Sequence, residues 1–539
     1  MATSEEKMDE INFTQCEATE RLKNLVSNED LSFLLNLHNK YNSQRLELLE
    51  ERKKRQTDFD NGASPEFDRN STAATTDWKV APIPADLQTR RVEITGPIND
   101  PKMVINMLNR NSSGFRADTA MLDFEDSMKP SWSNVISGLE NIKAVSERNL
   151  EFHKKNADGE IEKSYKLNSD DSAKAMVRVR GLHLDEANAT VQGSPISGGL
   201  MDLVLTSLLT AKRFIGDGQT PKFYVPKCEH YTEARWWNNV FNEIEDHLAI
   251  PRSSIRATFL IETLPAAFQI EEILYELKDH AAGLNVGRWD KIFSDIKVLG
   301  KHSDKISPDR ATINMSKYWM DNYAKRLIKI CHERGAYAIG GMSAFTPGKD
   351  SETREAQTKK VSEDKRNEFK IGHDGCWVSH PYFIGPAMEA FPKDNQMHEL
   401  LPEMDRFPNL IMDGEGPKTI DGLRTNIRVG IAYMQGWNNH IGCVAWDNLM
   451  EDLATLEISR AQTWQWLYHG ITLDTGETVN ESLIKDLFND ELEKISNELR
   501  LDPSAKLFKQ FRRAKDQAAE LFCQREMPEF LTNTSEINS

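Results

Sequence analysis

The chain has 539 residues, 39% of them apolar in the wide sense, with 67 basic against 84 acidic side chains for a formal charge of −17. That length can bury core for two or three domains, and the acidic balance argues against a general nucleic-acid or anionic-membrane binder. The six cysteines, Cys16, Cys228, Cys331, Cys376, Cys443 and Cys523, form no CxxC pair, which points away from a zinc site or disulfide framework and toward a reducing compartment.

The opening residues MATSEEKMDEINF are acidic and lack the basic and apolar regions of a secretory or mitochondrial signal. No apolar run reaches membrane-spanning length, so no membrane association is expected. Residues 17 to 56 read as helices ending in the charged stretch NSQRLELLEERKKRQ, a solvated face on an N-terminal arm. A Gly, Ser, Thr, Pro and Asp-rich connection follows to about Pro84.

Eight apolar, β-rich runs then alternate with helix-period segments: RRVEITGP, TAMLDFEDS, AMVRVRGL, KFYVPK, ATFLIET, GLNVGRWD, AYAIGGM and CWVSHP. Eight βα repeats across roughly 300 residues predict an α/β chain folded as a (β/α)8 TIM barrel. The polar insert 153 to 171 reads as a surface hairpin or loop, and the charged run 351 to 370 as a helical excursion on the rim. After about Asp421 the strands are expected to stop, and TNIRVGIAYMQGWNNH, LATLEISRAQTWQWLYHG and LIKDLFNDELEKISNELR predict an all-α C-terminal domain. The expected division is 1–88 arm and connection, 89–390 barrel, 391–421 connecting segment and 422–539 helical domain. The final residues, EINS, do not match a serine-lysine-leucine peroxisomal address. The expected location is the cytoplasm, in preference to a peroxisome or glyoxysome.

In parallel α/β folds the carboxyl ends of the strands share one rim, where function gathers. Here that rim is charged: Asp123, Glu125 and Asp126 follow strand two, Arg178 and Arg180 strand three, Lys227 strand four, Glu262 strand five and Asp290 strand six. Taken singly, Asp126, Arg180 and Lys227 read as an ion-pair network at the barrel mouth. As a set, so many carboxylates need a cation or arginine to offset them, and the paired acids Glu262 and Asp290 point to a hard divalent metal. Glycines in GGMSAFTP and HDGCWVSHP allow close backbone approach, and Pro347 and Pro381 stiffen those loops for an extended ligand. His373 and His380 read as structural before they read as ligands. Neither a phosphate loop nor a GxGxxG turn is present.

VEITGP (92–97), LDFEDS (122–127), VRVRGLHL (177–184), FLIETLPAAFQ (259–269), GLNVGRWDKIFS (283–294) and NLMEDLATLEISR (448–460) together resemble malate synthase of the shorter, A-type class, from about residue 60 to about 480. The resemblance implies a magnesium-dependent barrel enzyme that condenses acetyl-CoA with glyoxylate and hydrolyses malyl-CoA. It places the metal ligands on Glu262 and Asp290, the enolate-polarising arginine on Arg178 and the catalytic aspartate of MED on Asp452. Asp123 and Glu125 fall in an outer shell. Gly287, Trp289 and Asp290 are expected around the glyoxylate, and the Pro347 and Pro381 loops, with GCVAWDN (442–448), along the CoA channel. The partners implied are these small molecules, with room for a homo-oligomer. CVAWDNLMED departs from the commoner family form just before MED. The nearest alternative is a magnesium-dependent malyl-CoA or citryl-CoA lyase, against which the long helical domain bearing MED argues. An inactive scaffold would predict substitutions at the implied positions, and none is present.

Overall fold

The computed structural model describes residues 10–533; the two termini read above for targeting lie partly or wholly outside them. Helices α1 (Glu17–Leu25) and α2 (Asn28–Asp60) form the arm. A capping box opens α2, with Ser27 and Asp30 satisfying each other's backbone N–H groups. The arm is more than a solvated face, because α2 also buries Leu34, Leu37, Tyr41, Arg45, Arg52 and Phe59. Arg45 donates to the Leu182 carbonyl at 2.6 Å, and Arg52 to the Lys227 carbonyl at 2.7 Å. Two buried guanidinium groups thus clamp the arm onto barrel loops.

The eight runs form the strands β1 (Val92–Pro97), β2 (Thr119–Asp123), β3 (Lys174–Arg178), β4 (Lys222–Val225), β5 (Arg256–Ile261), β6 (Ala281–Val286), β7 (Tyr337–Ser343) and β8 (Gly375–Val378). Each pairs in parallel with the next and β8 closes on β1, a complete barrel. Strands covered on both faces have little need of polar alternation, which is why they stand out as near-continuous apolar runs. Inside, Arg90 donates to Glu93 at 2.7 Å, Thr258 at 3.1 Å and the Tyr224 hydroxyl at 3.0 Å, and Trp377 donates to Glu93 at 3.0 Å. This satisfied network plugs the barrel interior with polar side chains.

Gly375, the first residue of β8, sits where a Cβ would lie 1.8 Å from the Arg90 carbonyl oxygen. Backbone cannot yield there without parting β8 from β1. Gly375→Ala is therefore expected to cost about 3 kcal/mol, read as a lowered Tm in thermal melts.

The charged run 351 to 370 is not an excursion over the rim. It is helix α4 (Ser351–Ile371), the link from β7 to β8, following α3 (Arg288–Leu299) after β6. Its inward face escaped notice because it is mostly polar: Gln357, Val361, Lys365 and Glu368 are the buried positions. Lys365 Nζ donates to the Gly341 carbonyl at 2.7 Å and to Glu368 at 3.0 Å, and Glu368 accepts the Gly341 N–H at 2.9 Å. Burial pushes Glu368 from 4.5 up to about 7, with Lys365 offsetting only part. A carboxyl raised by folding contributes stability that is full below its unfolded value and lost as pH rises through the folded one. Between pH 5 and 8, Glu368→Gln should accordingly show a flatter decline in Tm than the parent protein.

The polar insert is a surface hairpin, Glu151–Lys155 paired with Ile161–Lys166. Beyond residue 421 lie helices α5 (Ile420–Trp437), α6 (Leu453–Tyr468), α7 (Glu481–Glu498) and α8 (Lys506–Phe522), packed around Leu423, Ile427, Leu487, Phe488 and Phe522. Strands do not stop there, contrary to expectation. Val444–Trp446 (β9) and Leu449–Glu451 (β10) pair antiparallel through a turn of Asp447 and Asn448, both at positive φ (47° and 63°). That is the two-residue hairpin turn whose twist matches the strands it joins. Helix α6 is buried almost all round: Ile458 and Ala461 belong to the barrel's core, Leu453, Leu456 and Trp466 to the helical one. Among the described residues no helix is long and apolar enough to cross a membrane.

Candidate active site

Strand ends and the β9–β10 hairpin meet at the carboxyl rim around one cavity of about 730 Å3, open mouth included. Arg178, Glu262, Gly287, Trp289, Asp290 and Asp452 all line it. Pro347 and Pro381 do not; Met342 and Ser379 stand on the wall beside them in sequence. Gln357 of α4 accepts the Gly348 N–H and donates to the Thr346 carbonyl, each at 2.9 Å, and so pulls the Pro347 loop onto the helix. The Pro381 carbonyl is taken by Asn111 at 2.8 Å. Of the other expected channel segment, Cys443 reaches the cavity.

Arg178 ends β3 and forms a two-pronged pair with Asp123, at 2.7 Å from Nε and 2.5 Å from Nη2. Its remaining nitrogen, Nη1, approaches Asp126 at 3.6 Å and Glu125 at 3.9 Å. Burial disfavours its charge, but these acids outweigh that and hold it firmly protonated. Asp123 and Glu125 do not line the cavity and stand one layer behind, Asp123 fixing Arg178 and Glu125 accepting from Lys227 at 3.1 Å.

Lys227 was read from the sequence as part of an ion-pair network at the barrel mouth, and it is the junction of that network. Its backbone N–H donates to Glu262 at 2.8 Å, and its ammonium reaches Asp126 at 2.7 Å and Asp290 at 3.4 Å. It holds a left-handed φ of 52°, uncommon for a residue with a side chain. Arg52 of the arm steadies its carbonyl. Asp126, read as a member of the same network, also lines the cavity, and its Oδ1 is buried with no hydrogen-bond partner. Their part in the site could have been read from their place at strand ends, had that outweighed the commonness of surface ion pairs. Arg180 is the ion-pair residue it was read as, held by Asp202 at 2.8 Å and Glu186 at 2.7 Å. His373 and His380 are structural too, His373 hydrogen-bonding the Ala338 carbonyl and His380 capping the turn at Tyr382.

Glu262 follows β5 directly, and Gly287 leaves it room: a Cβ there would lie 2.5 Å from the Glu262 Cβ and 2.7 Å from its Oε2. Asp290 lies in the first turn of α3, with Oδ1 buried and lacking a hydrogen-bond partner. Burial, then Asp290, drives Glu262 well above the usual carboxylate range, and burial lifts Asp290 to about 6. Glu125 is pushed to about 8 by burial and then by Asp126. Asp452 caps the N-terminus of α6, accepting the Thr455 N–H at a long 3.4 Å. Withdrawal from bulk water, then Asp126 and Asp290, raise it well above its ordinary value. Four acids, Asp126, Glu262, Asp290 and Asp452, therefore line the cavity with Arg178 and Arg288, and Asp123, Glu125 and Lys227 stand behind them.

Trp446 and Asp447, the departure before MED, face the helical domain. Asp447 pairs with Arg428 of α5 at 2.8 Å and Trp446 packs on Phe511 of α8, so they anchor the hairpin that presents Asp452.

A closed parallel barrel with acids and an arginine on its carboxyl rim, and one further raised carboxyl brought in by a helical domain, defines a barrel enzyme of acid–base chemistry on a small polar substrate. Family models described as the malate synthase N-terminal domain, TIM barrel domain and C-terminal region match residues 11–72, 174–407 and 417–536. Malate synthase A of Escherichia coli (strain K12) is 41% identical over 93% of this chain and 95% of the relative; malate synthase of Myxococcus xanthus (strain DK1622) is 44% identical over 88% and 87%. The glyoxysomal malate synthase of Glycine max is 41% identical over 88% and 85%. The chain belongs to the malate synthase family, acyltransferases of the glyoxylate cycle that condense acetyl-CoA with glyoxylate.

Proposed function

We propose that this chain performs the family reaction in the rim cavity with Asp452 as base, Arg178 as enolate stabiliser, and Glu262 and Asp290 as ligands of a magnesium ion. The observation that carries the assignment is that these four residues, from two strand ends and the N-termini of two helices, line one cavity. The donor set fits such an ion. The buried Asp290 Oδ1, which has the Lys227 ammonium at 3.4 Å but no hydrogen bond, and the excess of acids over cations both call for positive charge. Among the described residues no three His, Cys, Asp or Glu side chains stand at metal-ligand spacing. Two protein carboxylates with the rest of the shell left to substrate and water is the usual magnesium arrangement. When bound, the ion supplies Lewis acidity and a template for an oxo-acid.

The protein's own contribution follows from its geometry. A thioester methyl is a very weak acid, so its proton needs a base of raised affinity and a cation at the oxygen where charge develops. Asp452, lifted by burial and its acidic neighbours, takes that proton; Arg178, immobilised by Asp123, meets the enolate oxygen. The first-turn N–H groups of α3, beside Gly287 and Trp289, face the glyoxylate carboxylate, a site that helix ends favour for anions. The β9–β10 hairpin, with Cys443 and Met450 on the wall, screens the reacting carbon from water. In this division the barrel of 89–390 binds and the helical domain of 422–539 delivers the base.

Incubation with acetyl-CoA, glyoxylate and magnesium should give malate and free thiol. Accumulation of malyl-CoA without thiol release would overturn the reading in favour of a lyase.

A further inference from the structure

The second half of the reaction, hydrolysis of the thioester, requires a water whose proton has somewhere to go. Asp452 handles the methyl proton of the first half and returns it to the new alkoxide. Beside it, on the barrel side, stands a second carboxylate. Asp126 is 1% exposed and lines the cavity, and its Oδ1 has no hydrogen-bond partner. Its Oδ2 is held by the Lys227 ammonium at 2.7 Å, so the carboxylate cannot rotate without breaking that bond. The Asp126 carbonyl accepts the Leu453 N–H at 3.3 Å, which ties the backbones of 126 and 452 together across the domain contact. Its neighbours are otherwise engaged. Asp123 uses its oxygens on Arg178, the Glu125 N–H and Ser127, and Glu125 on Lys227 and the Gly181 N–H; neither lines the cavity.

We propose that Asp126 is a catalytic residue of the second half, the general base that activates water for thioester hydrolysis. The water oxygen bonds to the thioester carbonyl carbon as one of its protons passes to Asp126 Oδ1. The carbon–sulfur bond breaks, its electron pair leaves with sulfur, and Asp126 returns the proton to the thiolate to give free CoA and the carboxylic acid. This assignment rests on the reading that malyl-CoA is formed in this cavity.

Asp126→Asn tests it in quenched single turnovers with acetyl-CoA, glyoxylate and magnesium, malyl-CoA and thiol being followed separately. Malyl-CoA should form within about tenfold of the parent rate and accumulate, while thiol release, including that from supplied malyl-CoA, falls at least about 100-fold. A merely structural role would slow both halves together. That outcome, or hydrolysis of supplied malyl-CoA at the parent rate, overturns the proposal. Should melting show that the Asn variant does not fold, Asp126→Glu keeps the charge toward Lys227, displaces the oxygen, and must show the same bias against hydrolysis. A parent protein that releases no thiol refutes the family reaction for this chain, a failure distinct from this one.

Discussion

Asp452→Asn should lower turnover on the order of 1,000-fold, the scale of losing one positioned base, while glyoxylate and magnesium binding stay within a few-fold of the parent. The substitution is clean on structural grounds. Asparagine caps helices as well as aspartate does, so the hydrogen bond to Thr455 and the start of α6 survive. It also removes an acid whose charge burial and Asp126 disfavour, so thermal stability should hold or rise. The decisive measurement is exchange of acetyl-CoA methyl protons with deuterated solvent in the presence of an unreactive glyoxylate analogue. Exchange at the parent rate would remove Asp452 from the mechanism.

Asp290→Ala is expected to act on the metal first. Without its carboxylate, magnesium affinity should fall at least about 100-fold, beyond the usual effect of altering an outer-sphere partner, measured by calorimetric titration at fixed glyoxylate. A second readout separates this from damage to the fold. Asp290 is buried beside Glu262 and raised to about 6, so in the absence of metal it is a burden on the folded state. The metal-free variant should melt no lower than the metal-free parent, yet gain little Tm on adding magnesium, because ligand-linked stabilisation needs the ligand site. A variant that still gains the parent's full increment would exclude Asp290 as a ligand.

These two positions were legible in the sequence because each sits at a place the fold makes conspicuous: Asp290 just past an apolar strand, Asp452 in a motif long enough to recognise. The eight strands were legible for the same reason, their burial on both faces leaving unbroken apolar runs. What stayed hidden was polar and buried. Helix α4 turns Gln357, Lys365 and Glu368 inward, and no periodicity of apolar residues marks such a face. The β9–β10 hairpin has three residues per strand, too few for an alternation to show. Lys227 and Asp126 look like any surface pair until their burial is known, since exposed ion pairs are the commoner use of those residue types. The Pro347 and Pro381 loops were placed by their glycines and their stiffness, which say nothing about direction; Gln357 and Asn111 decide that.

Helix α6 shares its side chains between two cores, and the residue that opens it is the proposed base. Activity is thereby made a report on assembly. During refolding, strands and helical bundle can each acquire native secondary structure while the enzyme stays silent, and turnover should appear only with the last kinetic phase, when both halves close on α6. Mild heating should run the same film backwards, with catalysis fading before the circular dichroism of either half changes.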